Sequence, residues 1–97
     1  MKLRIYTVYD SKAEAFLPPF NAGNDALAVR SCADCLKEDT HPFARHPDDY
    51  TLFKLGEWDD TTAVYELVTP PRNLGIIGSF GDPVDSIHRI VPMKGAA

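Results

Sequence analysis

Two cysteines and two histidines make up the metal-like pattern in this 97-residue chain. Two residues separate Cys32 from Cys35, and His41 and His46 follow closely. Thiolate and imidazole ligands at short spacings suit Zn²⁺. The alternative is that both thiols are buried, because a free cysteine on an apolar helix face behaves as a small hydrophobic residue. We favour the second interpretation, so we expect no bound metal and no cofactor.

Paired carboxylates are the other feature that could carry chemistry. Asp48-Asp49 and Asp59-Asp60 could together hold the two metal ions of a nuclease. Both pairs occur in turn-like segments, however, where aspartate is common because it bonds to its own backbone. No serine or cysteine has the local signature of an activated nucleophile. We therefore expect a protein that is not an enzyme, and we rank a metal-dependent enzyme or a zinc protein last.

A hairpin-like segment from Tyr50 to Thr69 carries several aromatic residues and one lysine. With regular alternation, Tyr50, Lys54, Trp58 and Tyr65 project from one face. Rings and cations on a sheet form a stacking surface for single-stranded nucleic acid, worth roughly 1–3 kcal/mol per stacked base. With the first strand and one later arginine added, the candidate nucleic-acid-binding residues are Arg4, Tyr6, Tyr50, Lys54, Trp58, Tyr65 and Arg72.

A packing role for the same face remains open. Leu52 and Leu67 lie on it in this pattern, and leucines favour burial. The face would then pack against residues 16–20 or against a second subunit.

The elements that position these residues follow from periodicity. Residues 3–9 are rich in β-branched and aromatic types and predict a strand. A helix is predicted from the Asn24 cap to about Asp39, with an apolar arc. That arc comprises Ala28, Val29, Cys32, Ala33, Cys35 and Leu36. Residues 41–49 read as a loop.

A β-hairpin is predicted from Tyr50–Trp58 and Ala63–Thr69 around the turn at residues 59–62. Pairing Trp58 with Ala63 places Gly56 opposite Tyr65 and Lys54 opposite Leu67. Residues 74–80 are a possible fourth strand, weakened by glycine.

These elements predict an α+β fold with a small antiparallel or mixed sheet of three to four strands and one amphipathic helix on one face. The predicted core joins the helix arc to Phe53, Leu55, Val64 and Val68. Residues 1–80 form a single domain, and residues 81–97 are a C-terminal tail that is partly ordered or binds a partner.

Composition limits the partners. The net charge is −4, which weakens a nucleic-acid hypothesis because phosphate binding is usually driven by an excess of Lys and Arg, although basic residues can still gather on one face. No apolar run approaches the length of a membrane span, and the first residues lack the pattern of a signal peptide. We therefore expect a cytoplasmic protein that does not interact with a membrane.

Three sequence blocks resemble a known family in the same order. These blocks are MKLRIYTVYDSKAEAFLPPF, HPFARHPDDYTLFKLGEWDD and TPPRNLGIIGSF. They are similar to the small nonstructural protein of gokushovirus-type microviruses, which are tailless single-stranded DNA phages. The resemblance covers about residues 1–80. It implies a non-virion product that handles DNA during genome replication or packaging in the infected bacterium, and it supplies no catalytic residues.

Two functional hypotheses follow. The first is a nonenzymatic phage accessory protein that binds single-stranded DNA weakly. The second is a protein–protein interaction module that acts on a host factor or assists capsid assembly. With either function, one uncovered apolar sheet face favours a homodimer. The tail residues Val84, Ile87, Ile90 and Val91 recur at helical spacing and could reach the partner subunit.

Overall fold

A computed structural model describes residues 1–81. These residues form an α+β domain with an open, antiparallel, five-stranded sheet and one main helix. The strands are β1 (Lys2–Asp10), β2 (Ala15–Phe16), β3 (Phe20–Ala22), β4 (Tyr50–Asp59) and β5 (Tyr65–Ile76). The helices are α1 (Asp25–Cys35), the one-turn α2 (Pro42–Arg45) and a 3₁₀ helix at Ile77–Phe80. The predicted fold class is thus confirmed.

The sheet has the order β2-β1-β4-β5, and β3 also pairs with β1. Strands β2 and β3 are short and separate, because Pro18 and Pro19 between them lack amide protons and fix φ, which prevents a continuous strand. The fourth strand predicted at residues 74–80 is wrong. Leu74–Ile76 complete β5, and the chain then turns into the 3₁₀ helix.

Helix α1 begins where its cap predicts. The Leu27 amide donates to Asn24 Oδ1 over 2.9 Å, and Asp25 occupies the first turn, where a negative charge is favoured. The helix ends at Cys35, earlier than predicted, and tight turns continue towards residue 40. Part of the predicted 41–49 loop forms α2. Here the Phe43 amide donates to His41 Nδ1 over 3.1 Å.

The core lies between the sheet and α1, but on the opposite sheet face from the one predicted. Leu52 and Tyr6 are fully buried, whereas Val64 and Val68 are exposed. The buried cluster consists of Tyr6, Val8, Ala28, Cys32, Phe43, Tyr50, Leu52, Ile77 and Phe80. The other members of the predicted helix arc are partly buried against it. The arc was therefore correct, and the sheet face that it covers was not.

The hairpin register also differs from the prediction. Trp58 faces Tyr65, Gly56 faces Leu67 and Lys54 faces Arg72. Four residues of β5, Val68 to Pro71, lie between the last two pairs and bulge from the strand. Prolines cannot donate to a strand ladder, so they are tolerated at such a bulge on the edge strand.

Candidate nucleic-acid interface

One extra residue in β4 decides which side chains share a sheet face. Ile5 faces Gly56 while Tyr6 faces Lys54, so Leu55 has no opposite residue in β1. Side chains alternate along a strand, and an inserted residue inverts the alternation beyond it. Lys54 therefore lies on the helix-covered face, and Trp58, opposite Leu3, lies on the other, which we call the far face.

The far face carries an aromatic groove of about 660 Å³. Its lining residues are Ile5, Pro19, Phe20, Asn21, Leu55, Trp58, Tyr65 and Leu67. The Trp58 and Tyr65 rings are cross-strand neighbours with centroids 6.3 Å apart and planes inclined by 42°. Tyr65 is 63% exposed. Two adjacent accessible rings over an apolar depression are an arrangement that can stack unpaired bases.

The segment between β2 and β3 forms one side of this groove. Phe16 packs against Phe53 on the far face, with ring centroids 5.7 Å apart. Pro19 and Phe20 then line the groove itself. The segment covers part of the far face, as one of the two packing alternatives anticipated, and leaves an open groove beside Trp58.

Gly56 allows the backbones of β4 and β5 to lie close together beside the groove. Its φ is +154°, and a Cβ atom there would overlap the Glu66 carbonyl oxygen and lie 2.8 Å from Leu67 Cα. Residues with a side chain rarely adopt this conformation. Glycine thus permits β5 to approach β4 closely and places Leu67 beside Trp58 and Tyr65.

On the helix-covered face of the sheet, the Asp25 carboxylate contacts three of the predicted binding residues, Tyr6, Lys54 and Arg72. Asp25 Oδ1 accepts a 2.6 Å hydrogen bond from the Tyr6 hydroxyl, and Asp25 Oδ2 accepts a 2.9 Å bond from Arg72. Lys54 Nζ lies 3.7 Å from Asp25 Oδ1, and the Lys54 side chain is only 14% exposed. Two cations and one carboxylate leave this cluster with one excess positive charge.

The pKa shifts in this cluster follow from its contacts. The hydrogen bond from Tyr6, together with the charges of Lys54 and Arg72, lowers the pKa of Asp25. Burial, followed by the hydrogen bond to Asp25 and its charge, raises the pKa of Tyr6 strongly. Asp25 therefore remains ionised and Tyr6 remains a protonated donor at neutral pH.

A second group of charges lies near the start of β1. Arg4 donates to the Gly23 carbonyl over 2.9 Å and lies 3.8 Å from Glu57. Lys2 lies 3.8 Å from Glu57 and 3.4 Å from Glu66. Each of the cations Lys2, Arg4, Lys54 and Arg72 is thus already opposed by a carboxylate, which reduces the positive potential that they present.

The prediction that these seven residues share one stacking surface is therefore wrong, because they lie on two faces of the sheet. Tyr6 and Tyr50 are buried, and the Tyr50 ring packs on Phe43 at 4.7 Å. Lys54 and Arg72 meet at Asp25, and Arg4 meets Glu57. Trp58 and Tyr65 alone of the seven line the groove of the far face. Leu55, the inserted residue, is the physical reason for this division.

Sequence reasoning missed the contacts of Asp25 and the bulge at Leu55. Asp25 is far along the chain from Arg72, so no local pattern connects them. The bulge at Leu55 had one available signal in Gly56, because glycine inside a strand often marks a bulge or a close backbone approach.

The cysteines and His41 take part in packing and helix capping. Cys32 is buried and Cys35 is half-buried, so the prediction of burial is confirmed fully only for Cys32. Burial raises the pKa of Cys32 to about 12, which disfavours the thiolate that metal binding requires. His41 caps α2 and its ring contacts Phe43 at 4.6 Å. Within residues 1–81, no three His, Cys, Asp or Glu side chains are grouped so that they could hold a metal ion.

The fold and this groove define a small α+β protein with an apolar, aromatic groove on one face of an open sheet. Residues 3–80 match the family model described as Phage ORF5 protein. The match covers most of the chain, which therefore belongs to the Phage ORF5 protein family. No curated protein and no solved structure matches it. Among the described helices, none has the length and apolar character needed to cross a membrane.

Proposed function

We propose that this phage accessory protein is nonenzymatic and binds single-stranded DNA during genome replication or packaging, in the cytoplasm of the infected host. The observation that carries the proposal is the Trp58–Tyr65 ring pair over the far-face groove. The three sequence blocks support a finer placement with gokushovirus-type microviruses, whose single-stranded genome supplies such a ligand.

Stacking must provide most of the affinity. The groove lining carries no charged side chain, and the nearest strands place their cations against carboxylates. Two stacked bases at roughly 1–3 kcal/mol each sum to roughly 2–6 kcal/mol, which corresponds to a dissociation constant of about 0.04–30 mM for one chain. Because few phosphates are neutralised, we expect a shallow salt dependence, with a slope of about −0.7 for each phosphate contacted.

The groove provides a way to test this proposal with one substitution. Tyr65→Leu removes an exposed ring but keeps an apolar side chain, so the fold is preserved. Loss of one stacked base predicts roughly 5- to 150-fold weaker binding of a fluorescent oligothymidine, measured by anisotropy at low salt. Phe16→Leu is the matched control, because Phe16 is an exposed aromatic residue outside the groove lining. Equal affinity of both variants and the wild type for the oligonucleotide would contradict DNA binding in this groove.

The uncharged lining also favours the second candidate, a protein–protein interaction module. An apolar groove free of charge suits an apolar segment of a host factor or a capsid protein. Salt separates the two functions. DNA binding weakens as salt rises, whereas burial of an apolar segment is maintained or strengthened by sulfate.

A further inference from the structure

The exposed part of β5 has a self-complementary charge pattern. The stretch from Leu67 to Pro71 is uncharged and exposed. Glu66 precedes it and Arg72 follows it, each three positions from the central Thr69. When such a segment faces its own copy in antiparallel fashion about Thr69, Leu67 lies opposite Pro71 and Glu66 lies opposite Arg72. We define this segment, Glu66–Arg72, as the edge strip.

From this pattern we propose that the edge strip is a two-fold interface with a second copy of this chain, in which Glu66 of each copy pairs with Arg72 of the other. A two-fold contact uses the same patch on both subunits, so the patch must be complementary to itself. The edge strip meets that requirement in both its charged ends and its apolar centre.

The side-chain directions support this register. Glu66 lies 3.4 Å from Lys2, and Arg72 lies 2.9 Å from Asp25 of α1. Lys2 lies on the same sheet face as Arg4 and Tyr6 by strand alternation, and Tyr6 also bonds to Asp25. Glu66 and Arg72 therefore lie on one sheet face, as facing residues of an antiparallel pair do.

Both charged groups are accessible to a partner. The Glu66 side chain is 69% exposed and the Arg72 side chain is 61% exposed. Between them, Leu67 is 66% exposed and Val68 is 40% exposed. Like charges do not meet in this register, whereas an antiparallel contact centred on Glu66 would bring the two Glu66 carboxylates together.

Two prolines determine how the two copies can contact each other through the edge strip. Pro70 and Pro71 lack amide protons, so the strip cannot form an uninterrupted ladder of backbone hydrogen bonds. Side-chain packing and the two symmetric ion pairs must hold the copies together. The interface is therefore modest and sensitive to charge.

Charge reversal and rescue test this register in the full-length protein. Glu66→Arg and Arg72→Glu each place like charges across the interface twice. We expect each to raise the dimer dissociation constant by roughly 10- to 100-fold in sedimentation equilibrium. The double variant E66R/R72E restores opposite charges, so its dissociation constant should return to within about threefold of the wild type. Intramolecular contacts with Lys2 and Asp25 would not be restored by this exchange.

Glu38→Arg and Lys37→Glu are the matched controls, since both residues are exposed on the helix side and reproduce the same changes in net charge. Dimers of these controls should resemble the wild type. If Arg72→Glu impairs folding, adding Arg72→Gln to Glu66→Arg removes the repulsion between the introduced arginine and Arg72, so the dimer should recover part of the affinity that Glu66→Arg alone loses.

Three results would overturn the inference. The first is a monomeric wild type at about 100 μM, which includes the case in which residues 82–97 or another protein cover the strip. The second is a dimer that neither reversal weakens. The third is a weakened dimer that the double variant fails to restore.

Discussion

Removing the Tyr6 hydroxyl tests the charged cluster at its centre. In Tyr6→Phe the ring remains in the core, and Asp25 loses a 2.6 Å hydrogen bond. Hydrogen bonds to charged groups contribute about 1.5–3 kcal/mol. The Asp25 side chain is 34% exposed, so water can replace part of the lost bond. We therefore expect a loss of about 1–2 kcal/mol in the free energy of unfolding at pH 7.

The same substitution has a defined pH dependence. Because the folded state lowers the pKa of Asp25, its stabilisation is present above the unfolded pKa of about 4 and is lost as pH falls through the folded value. The difference between wild type and Tyr6→Phe should thus shrink between pH 7 and pH 3. Urea unfolding followed by circular dichroism measures it. Tyr65→Phe, which removes an exposed hydroxyl, is the control.

Two outcomes would refute this account of the cluster. One is a loss below about 0.5 kcal/mol at pH 7, which would mean that the bond contributes no more than an ordinary neutral one. The other is an equally large loss at pH 3, which would assign the effect to packing of the ring rather than to the ionised Asp25.

Further predictions concern the bulge and the core. Gly56→Ala should destabilise the protein by about 2–4 kcal/mol in urea unfolding, because the added Cβ meets the β5 backbone. Gly23→Ala is the control and should cost far less, because its Cβ would contact only the Leu27 side chain, at 3.3 Å. Equal costs for the two substitutions would contradict the close approach of β5 to Gly56. Leu52→Ala should cost about 2–5 kcal/mol in the same assay because Leu52 is fully buried. Leu27→Ala, at an exposed position on α1, should cost below about 1 kcal/mol, and the reverse order would contradict the burial of Leu52 in the core.

Local patterns predicted the parts of this fold that depend on neighbours in sequence. Asn24 marked the start of α1, and the apolar arc of the helix identified Ala28 and Cys32 as buried. The β-branched and aromatic residues at positions 3–9 predicted β1. Each of these signals arises from residues within a few positions of one another.

The errors arose where distant segments meet. The alternation of side chains in β4 is interrupted at Leu55. Trp58 therefore lies on the far face, whereas regular alternation predicted that it shares a face with Lys54. The sheet face covered by α1 was also chosen wrongly, because both faces of the first strand mix polar and apolar residues. The meeting of Asp25 with Arg72 depends on the whole topology and leaves no trace in local sequence.

Fluorescence of Trp58 tests the proposed binding site most directly, since it is the sole tryptophan in the chain. The protein is titrated with oligothymidine at low salt, and circular dichroism confirms that it remains folded. Stacking of a base on the indole predicts saturable quenching, which Tyr65→Leu shifts to higher oligonucleotide concentration and Phe16→Leu leaves in place. Unchanged emission of the folded protein, at oligonucleotide concentrations above the expected dissociation constant, would contradict a DNA site in the far-face groove.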